Sequence, residues 1–303
     1  MYHPTPFSAA ATRQFFQRLV ESGGPQSADY PALNHQMTQL HGESEAGRLD
    51  PDLARELINI LQPTLSLDTM QGVAFSKPHG YAGDFEIIDR IYNEWVSANP
   101  RLQPWDRYFH AQAAPRAVRN RKDYFHKLLH EIDTSQAGGK RVLKLGLGPG
   151  RSMYEWFCAR PNSRLHFECV ELDQKAIQYA RKLNRNHVHK ITFVHGNAVR
   201  HRPLHQFDLI WAAGLFDYFS DRAFVLIVRR MWSHVAHGGR LVIGNFGSAN
   251  SSRPYMELVG EWRLVHRSAE QLLQLAHDAG IPREYMHVDA EPEGVNLFLQ
   301  AKK

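Results

Sequence analysis

Residues 141–152 read Arg-Val-Leu-Lys-Leu-Gly-Leu-Gly-Pro-Gly-Arg-Ser, an apolar run broken by Gly146, Gly148, Pro149 and Gly150. Glycine accepts the left-handed backbone of a tight turn and lets a ligand lie against the main chain. A helix opening directly after such a turn adds free N–H groups. A second apolar run, Leu165–Val170, ends in Glu171, 21 residues past Gly150. A carboxylate at the end of a neighbouring strand can accept from both hydroxyls of a ribose. Loop and acid together predict a nucleoside site at the C-terminal ends of parallel strands. A dinucleotide loop wants glycine at its first, third and sixth positions. Here Gly146 and Gly148 fill the first two, Arg151 stands sixth, and the third glycine comes one residue early as Gly150. That spacing suits a nucleoside without a pyrophosphate better than NAD.

Two further segments carry candidate chemistry. In Gly80-Tyr81-Ala82-Gly83-Asp84, two glycines flank Tyr81, and Asp84 precedes an apolar-periodic stretch as its N-cap. Such a turn can act as a lid, with Tyr81 and Asp84 near the reacting groups and His79 offering a base. Asn245, Phe246, Arg253, Met256, Trp262 and Arg267 mix aromatic, flexible apolar and basic groups. That mixture suits an amphipathic acid, with Asn245, Arg253 and Trp262 as its contacts. Arg116, Arg119, Arg121 and Lys122 share one helix and read as a solvated face. His201 and His205 are four apart, but Pro203 between them disfavours a regular helix, and no HExxH motif or cysteine cluster occurs. No metal is expected.

The elements that must position these groups follow from periodicity. Apolar residues at spacings of three and four predict helices over Ala9–Glu21, Pro51–Leu61, Phe85–Trp95 and Pro115–Ile132. Beyond Gly138-Gly139 the pattern changes. Short apolar runs at Val142–Leu145, Leu165–Val170, Ile191–Val194, Phe207–Trp211 and Leu241–Ile243 alternate with helical stretches at Met153–Ala159, Gln174–Leu183 and Arg222–Val235. This alternation predicts βαβ units and a parallel sheet covered on both faces. Glu284–Asp289 and Val295–Ala301 read as strands whose connection is too short for a crossover helix, so they should pair antiparallel. The expected fold is α/β, a Rossmann-like, mostly parallel seven-stranded sheet with an antiparallel C-terminal hairpin. An α-helical domain over 1–138, the lid and substrate-recognition part, should precede a nucleoside-binding domain over 139–303.

Composition bounds the function. The chain has 303 residues, 43% hydrophobic and 22% charged, enough to bury a sizeable core. No apolar stretch reaches 18 residues, and no basic segment leads into an apolar run near residue 1, so neither a membrane span nor a secretory leader is expected. Two cysteines cannot build a disulfide framework, which points to a reducing, cytoplasmic location. The net charge is +5, but Lys and Arg are scattered rather than massed. A solvated basic surface is therefore expected before a nucleic-acid partner.

Over roughly Arg141 to Lys303 the sequence resembles the class I S-adenosylmethionine-dependent methyltransferases. Gly146-Leu147-Gly148-Pro149-Gly150 is similar to their first motif, and Glu171-Leu172-Asp173 to their ribose-binding acid. His195-Gly196-Asn197-Ala198 is similar to the segment that meets adenine, and Ala212-Ala213-Gly214-Leu215-Phe216-Asp217-Tyr218 to the one lining the methionine end. The resemblance implies S-adenosyl-L-methionine as cofactor. It would be held by Lys144, Gly146, Gly148, Pro149, Gly150, Glu171, Leu172, Asn197, Ala198, Ala213, Gly214 and Leu215, with Tyr81, Asp84, His79 and Tyr218 as catalytic candidates. A narrower resemblance rests on Lys77-Pro78-His79-Gly80-Tyr81-Ala82-Gly83-Asp84, Gly214–Tyr218 and Gly244-Asn245-Phe246. These look like bacterial 3-hydroxypalmitate methyl ester synthases, in which a fatty acyl carboxylate is methylated, and related natural-product enzymes. The sequence departs from the family at Lys144, where an acid usually helps hold the cofactor's amino group. A cation cannot accept from an ammonium, and it favours the neutral amine by repulsion.

Three functions follow. The first is O-methylation of a small-molecule carboxylate of fatty- or amino-acid type. The second is a cyclase that turns the cofactor into azetidine-2-carboxylate and methylthioadenosine, a reaction that needs the neutral amine. The third is an RNA-binding methyltransferase or binder with residues 1–138 as recognition domain. Ala212-Ala213-Gly214-Leu215 lacks the acid-or-amide, double-proline, aromatic motif of enzymes that methylate base amines. The expected partners are a small-molecule acid and, as an option, a second copy in a homodimer.

Overall fold

The computed structural model describes residues 7–134 and 139–303. In chain order the helices are α1 Ala9–Glu21, α2 Tyr30–Glu45, α3 Pro51–Leu61, α4 Met70–Ser76, α5 Phe85–Tyr92, α6 Gln103–Ala111, α7 Ala113–Asp133, α8 Arg151–Ala159, α9 Gln174–Leu183, α10 Asp221–Ser233, α11 Arg253–Leu258 and α12 Ala269–Asp278. The strands are β1 Arg141–Leu145, β2 His166–Glu171, β3 Ile191–His195, β4 Phe207–Ala213, β5 Val235–Phe246, β6 Met286–Ala290 and β7 Asn296–Lys302. The chain divides into two compact units. One runs to Pro115 and includes Ser251–Arg263; the other comprises Arg116–Asn250 and Leu264–Lys303.

The first unit is helical. Side chains of Ser8, Asp50, Thr69 and Asp84 accept N–H groups at the starts of α1, α3, α4 and α5, satisfying donors that a helix leaves unpaired. Its core gathers Phe16, Leu33, Leu53, Trp105 and Tyr108. Buried polar groups are paired. The Tyr108 hydroxyl donates to Asn34 over 2.7 Å, Tyr255 donates to Gln71 over 2.7 Å, and Asp106 accepts from the backbones of Met70 and Ser97.

The second unit is a seven-stranded sheet in the order β3-β2-β1-β4-β5-β7-β6. Neighbours from β3 to β5 pair in parallel, and β7 runs antiparallel to β5 and β6. This is the expected Rossmann-like sheet with its closing hairpin. The strand order reverses at β1, where the chain proceeds to β2 on one side and later returns to β4 on the other. Such a switch point opens a crevice at the strands' C-terminal ends. Both faces are covered. Leu143, Leu145, Ile210 and Phe224 share one core, while Val142, Phe167, Trp211 and Phe298 share another with Phe125 and Leu129 of α7 and Met153 and Phe157 of α8. Strand alternation puts Lys144 on the Val142 face, under α7.

The units part between Pro115 and Arg116 rather than at the expected boundary, and Gly138 lies outside the described residues. The reason is that Phe125, Leu128 and Leu129 of α7 sit inside the sheet's core. Helices α2, α4, α6 and α12 were not expected. The strand expected from Glu284 starts at Met286, because Arg283–Tyr285 forms a 3-10 turn behind Pro282.

Candidate nucleoside site

The loop between β1 and α8 bends through three glycines at positive φ: +73° at Gly146, +58° at Gly148 and +73° at Gly150. They serve different ends. A Cβ on Gly150 would lie 2.8 Å from the Ala180 Cβ and 3.1 Å from the Asn184 Nδ2, so this glycine lets α9 close on the loop. Fully buried Asn184 fixes that contact by donating to the carbonyls of Gly150 (3.1 Å) and Ala180 (2.9 Å). A Cβ on Gly148 would meet no protein atom within 4 Å. Here the backbone itself faces the crevice.

Glu171, at the end of β2, latches the loop. One carboxylate oxygen accepts from the Gly148 N–H at 3.2 Å, and the other from the N–H groups of Leu172 (2.8 Å) and Asp173 (3.0 Å). A carboxylate offers about four acceptor positions; with three taken, one remains for a ribose hydroxyl, and a second opens if the long 3.2 Å bond from Gly148 is exchanged. One strand further, the His195 ring pairs with the Leu172 carbonyl at 3.0 Å and Asn197 accepts from Val199 N–H at 2.8 Å, shaping the turn that exposes Asn197 and buries Ala198. The exposed side chain of Leu172 stands beside Glu171. Adenosine fits this arrangement: a sugar on Glu171, a base toward Leu172, Asn197 and Ala198, and backbone at Gly148.

The β1–β4 side of the crevice is charged. Lys144, 9% exposed, reaches back to the Gly146 carbonyl at 3.4 Å and lies 5.8 Å from the centre of the Phe125 ring. Burial pushes its ammonium down to about 8, with the Arg121 guanidinium adding to the shift. Cys169 beside it has its thiol pushed up to about 12 by burial, so it stays protonated. Arg121 is 7% exposed, and its Nη1 lies 2.7 Å from where a Cβ on Gly214 (φ +83°) would stand. Arg121 therefore does not lie on a solvated face, contrary to expectation. It falls on the apolar stripe of α7 with Ala117, Val118 and Phe125, a spacing that could have revealed it. Arg116 and Lys122 do lie outward, paired with Glu293 and Glu155.

Asp217, which had no role of its own within the 212–218 segment as read from sequence, is a second buried group. It is 1% exposed, accepts from the Phe246 N–H at 2.6 Å, and burial pushes its carboxyl up to about 6 against the pull of that N–H, Arg121 and Arg267. Its neighbour Tyr218 is exposed on the same 3-10 turn, after Ala213, Gly214 and the half-buried Leu215.

The remaining candidates are dispersed. Asn245 is fully buried; its amide donates to the carbonyls of Phe246 and Val265 and accepts from Arg267 at 2.7 Å. Those bonds tie the end of β5 to residues 265–267. Arg253 and the buried Trp262 belong to the helical unit, where Arg253 pairs with Glu257 at 2.7 Å. Tyr81, Asp84 and His79 also belong there. Asp84 caps α5 as expected, accepting from Glu86 and Ile87, and burial raises its pKa. The His79 ring pairs with Glu86 at 3.0 Å and lies 4.3 Å from the Phe85 ring. Tyr81 is exposed. Among the described residues one group, His41, Glu45 and Glu257, brings three metal-type ligand atoms within 4.8 Å of one another. Arg253 contacts both of its carboxylates. No helix among the described residues is long and apolar enough to cross a membrane.

Comparison with known proteins agrees with this geometry. Residues 142–239 match the family model of the methyltransferase domain. No curated protein matches the chain. The structure is similar to that of a possible exported protein from Bordetella parapertussis, at 15% identity and a TM-score of 0.61, over 99% of this chain and 99% of that one. It is also similar to a protein provisionally named an O-methyltransferase from Nostoc punctiforme, at 13% identity and a TM-score of 0.53, over 97% of this chain and 94% of that one. At such identities the likeness carries the fold alone. Residues 142–239 thus match a methyltransferase domain and lie on a Rossmann-like sheet.

Proposed function

We propose that the protein is an S-adenosylmethionine-dependent methyltransferase that O-methylates the carboxylate of a small-molecule fatty or amino acid. The observation that carries the reading is the Gly146–Gly150 loop, bare at Gly148 and tied to the Glu171 carboxylate. When bound, S-adenosylmethionine supplies an electrophilic methyl carbon with a good leaving group, so a carboxylate acceptor needs no base. The chain's task is then to hold and align. Glu171 grips the ribose, the loop backbone lies against the nucleoside, and the 212–218 turn lines the methionine end. Tyr81, Asp84, His79, Arg253 and Trp262 of the helical unit, with Tyr218, are proposed to serve the acceptor. Outward basic groups of α7 are neutralised by Glu293 and Glu155, which leaves little for a nucleic acid. A cytoplasmic location fits the two free cysteines, Cys158 and Cys169.

A second reading has one observation behind it. Buried Lys144, beside Arg121, favours a neutral amine on the ligand, as cyclisation to azetidine-2-carboxylate requires. One incubation separates the two: purified protein with S-adenosylmethionine, first alone and then with fatty and amino acids, analysed by mass spectrometry. Methyl transfer predicts no turnover until an acid is added, then S-adenosylhomocysteine and a methyl ester. Methylthioadenosine and a cyclic amino acid without any acceptor would overturn it in favour of the cyclase.

A further inference from the structure

We propose a second binding site, for a small organic phosphate, in the cavity beneath the segment that joins β3 to β4. Arg141, His166 and Phe207, which open β1, β2 and β4, all line this cavity. It therefore sits toward the end of the sheet opposite the Gly146–Gly150 loop, and the proposal does not rest on the cofactor reading.

The topology leaves the space. Helices α8, α9 and α10 fill the other connections between parallel strands, but residues 196–206 reach β4 without an α-helix. Parallel sheets are as a rule covered on both faces. Here a cavity of about 470 Å³ opens instead, on the face of β2 and β3 opposite Phe167 and Phe193. Two pairs form its floor: the His166 ring with the Thr192 hydroxyl at 3.0 Å, and the His201 ring with the Glu168 carboxylate at 3.1 Å. Arg230 of α10 pins the overlying segment by donating to the carbonyls of Val199 and His201. The cavity is thus held open by the fold, and its volume is that of a small-molecule site.

Its chemistry asks for an anion. Arg141, Arg202 and His205 line it, and no described residue accepts a hydrogen bond from any of their side chains. Glu168, the one carboxylate present, is already engaged by His201. Burial, aided by the Arg141 charge, holds the His166 imidazole below its usual range, which places that guanidinium close to the floor. Three basic groups suit a phosphate monoester, with its nearly two negative charges and three acceptor oxygens, better than a singly charged carboxylate. A guanidinium fork matches those oxygens bidentately. The organic part has its own surface in Val194, Phe207 and Leu204, and Leu204 is 89% exposed, more than any other large apolar side chain among the described residues. A metal ion suits the site less. Among the described residues only His41, Glu45 and Glu257 bring three ligand atoms together, and two guanidinium groups repel a cation.

The test is calorimetry on the full chain with phenyl phosphate as probe, beside inorganic phosphate and benzoate. Phenyl phosphate should bind with a Kd of about 1 mM or tighter, and more tightly than inorganic phosphate, which lacks the apolar part, or benzoate, which lacks the second charge. Replacing both arginines, Arg141→Met with Arg202→Met, should lower its affinity about tenfold or more. Leu204→Ser should weaken phenyl phosphate and leave inorganic phosphate unchanged. Arg200→Met, at an exposed arginine of the same segment that does not line the cavity, should change neither. No binding of phenyl phosphate by the wild-type protein at about 10 mM would overturn the proposal without any variant having to fold. An equal loss in Arg200→Met would mark a diffuse basic surface and overturn it too. So would displacement of phenyl phosphate by S-adenosylhomocysteine, which would put the anion in the crevice, or binding that requires added Zn²⁺, which would make this a metal centre. Phenyl phosphate binding that depends on the two arginines in a protein that binds no S-adenosylhomocysteine would uphold this site and sink only the cofactor reading.

Discussion

Gly148 and Gly150 stand two residues apart at similar positive φ, yet replacing each with alanine should give opposite signatures. Both substitutions place a Cβ in the left-handed region, which costs about 1–2 kcal/mol. At Gly150 the new methyl also meets the Ala180 Cβ at 2.8 Å and the Asn184 Nδ2 at 3.1 Å, on a helix that cannot withdraw without disturbing the sheet. Overpacking of this kind adds about 1–3 kcal/mol, so Gly150→Ala should cost about 2–5 kcal/mol in total. Gly148→Ala meets no neighbour and should cost only the backbone term of about 1–2 kcal/mol. The order reverses for ligand binding. The Gly148 methyl points where the nucleoside lies, beside the N–H that Glu171 holds, and should weaken S-adenosylhomocysteine binding more than tenfold, about 1.4 kcal/mol or more. Urea unfolding gives the first quantity and isothermal calorimetry the second. Normal binding by a folded Gly148→Ala protein would refute the cradle. A Gly150→Ala protein as stable as Gly148→Ala would refute the packing argument.

Glu171→Ala removes the acceptor for three backbone N–H groups and the proposed ribose partner, so nucleoside affinity should fall at least tenfold, about 1.4 kcal/mol; unchanged affinity in calorimetry would remove Glu171 from the site. Asn184→Ala deletes two buried hydrogen bonds, while the Gly150 carbonyl keeps the Tyr154 N–H, and should destabilise the protein by about 1–3 kcal/mol in urea unfolding; a loss below about 0.5 kcal/mol would contradict its anchoring role. Lys144 has its pKa depressed to about 8 from 10.5. The folded state then binds fewer protons than the unfolded chain between those values, and stability rises with pH across that window. The full cost of burying the charge, up to about 3 kcal/mol, is present below pH 8 and gone above 10.5. Lys144→Met should flatten the pH 7–10 dependence of unfolding free energy, and an unchanged slope would count against a buried ammonium.

The sheet was legible because its signals are local and redundant. β1, β2 and β3 are short apolar runs separated by amphipathic helices, and Pro292 and Gly294 mark a hairpin connection too short to cross over. The glycine loop was legible because a tight strand-to-helix turn at positive φ demands glycine, and Glu171 stood out as an acid closing an apolar strand. Helix α2 was missed because its apolar residues Leu33, Met37 and Leu40 are diluted by polar ones. The unit boundary was misplaced because α7 looks like the helices before it in sequence, and only packing assigns Phe125 and Leu129 to the sheet. The burial of Arg121, read as a solvated face, and of Asp217, read only within its segment, was hidden for a related reason. Their burial depends on Gly214, Phe246 and Arg267, residues distant in sequence. Asn245 looked exposed in the sequence, whereas Arg267 and the Val265 carbonyl engage its buried amide.

A crystal structure of the protein with S-adenosylhomocysteine tests the central claim most directly. The account predicts both ribose hydroxyls within hydrogen-bond distance of the Glu171 carboxylate and the nucleoside lying on the Gly148 backbone. Ligand bound anywhere else, or Glu171 still turned wholly to backbone N–H groups with the sugar out of reach, would contradict it.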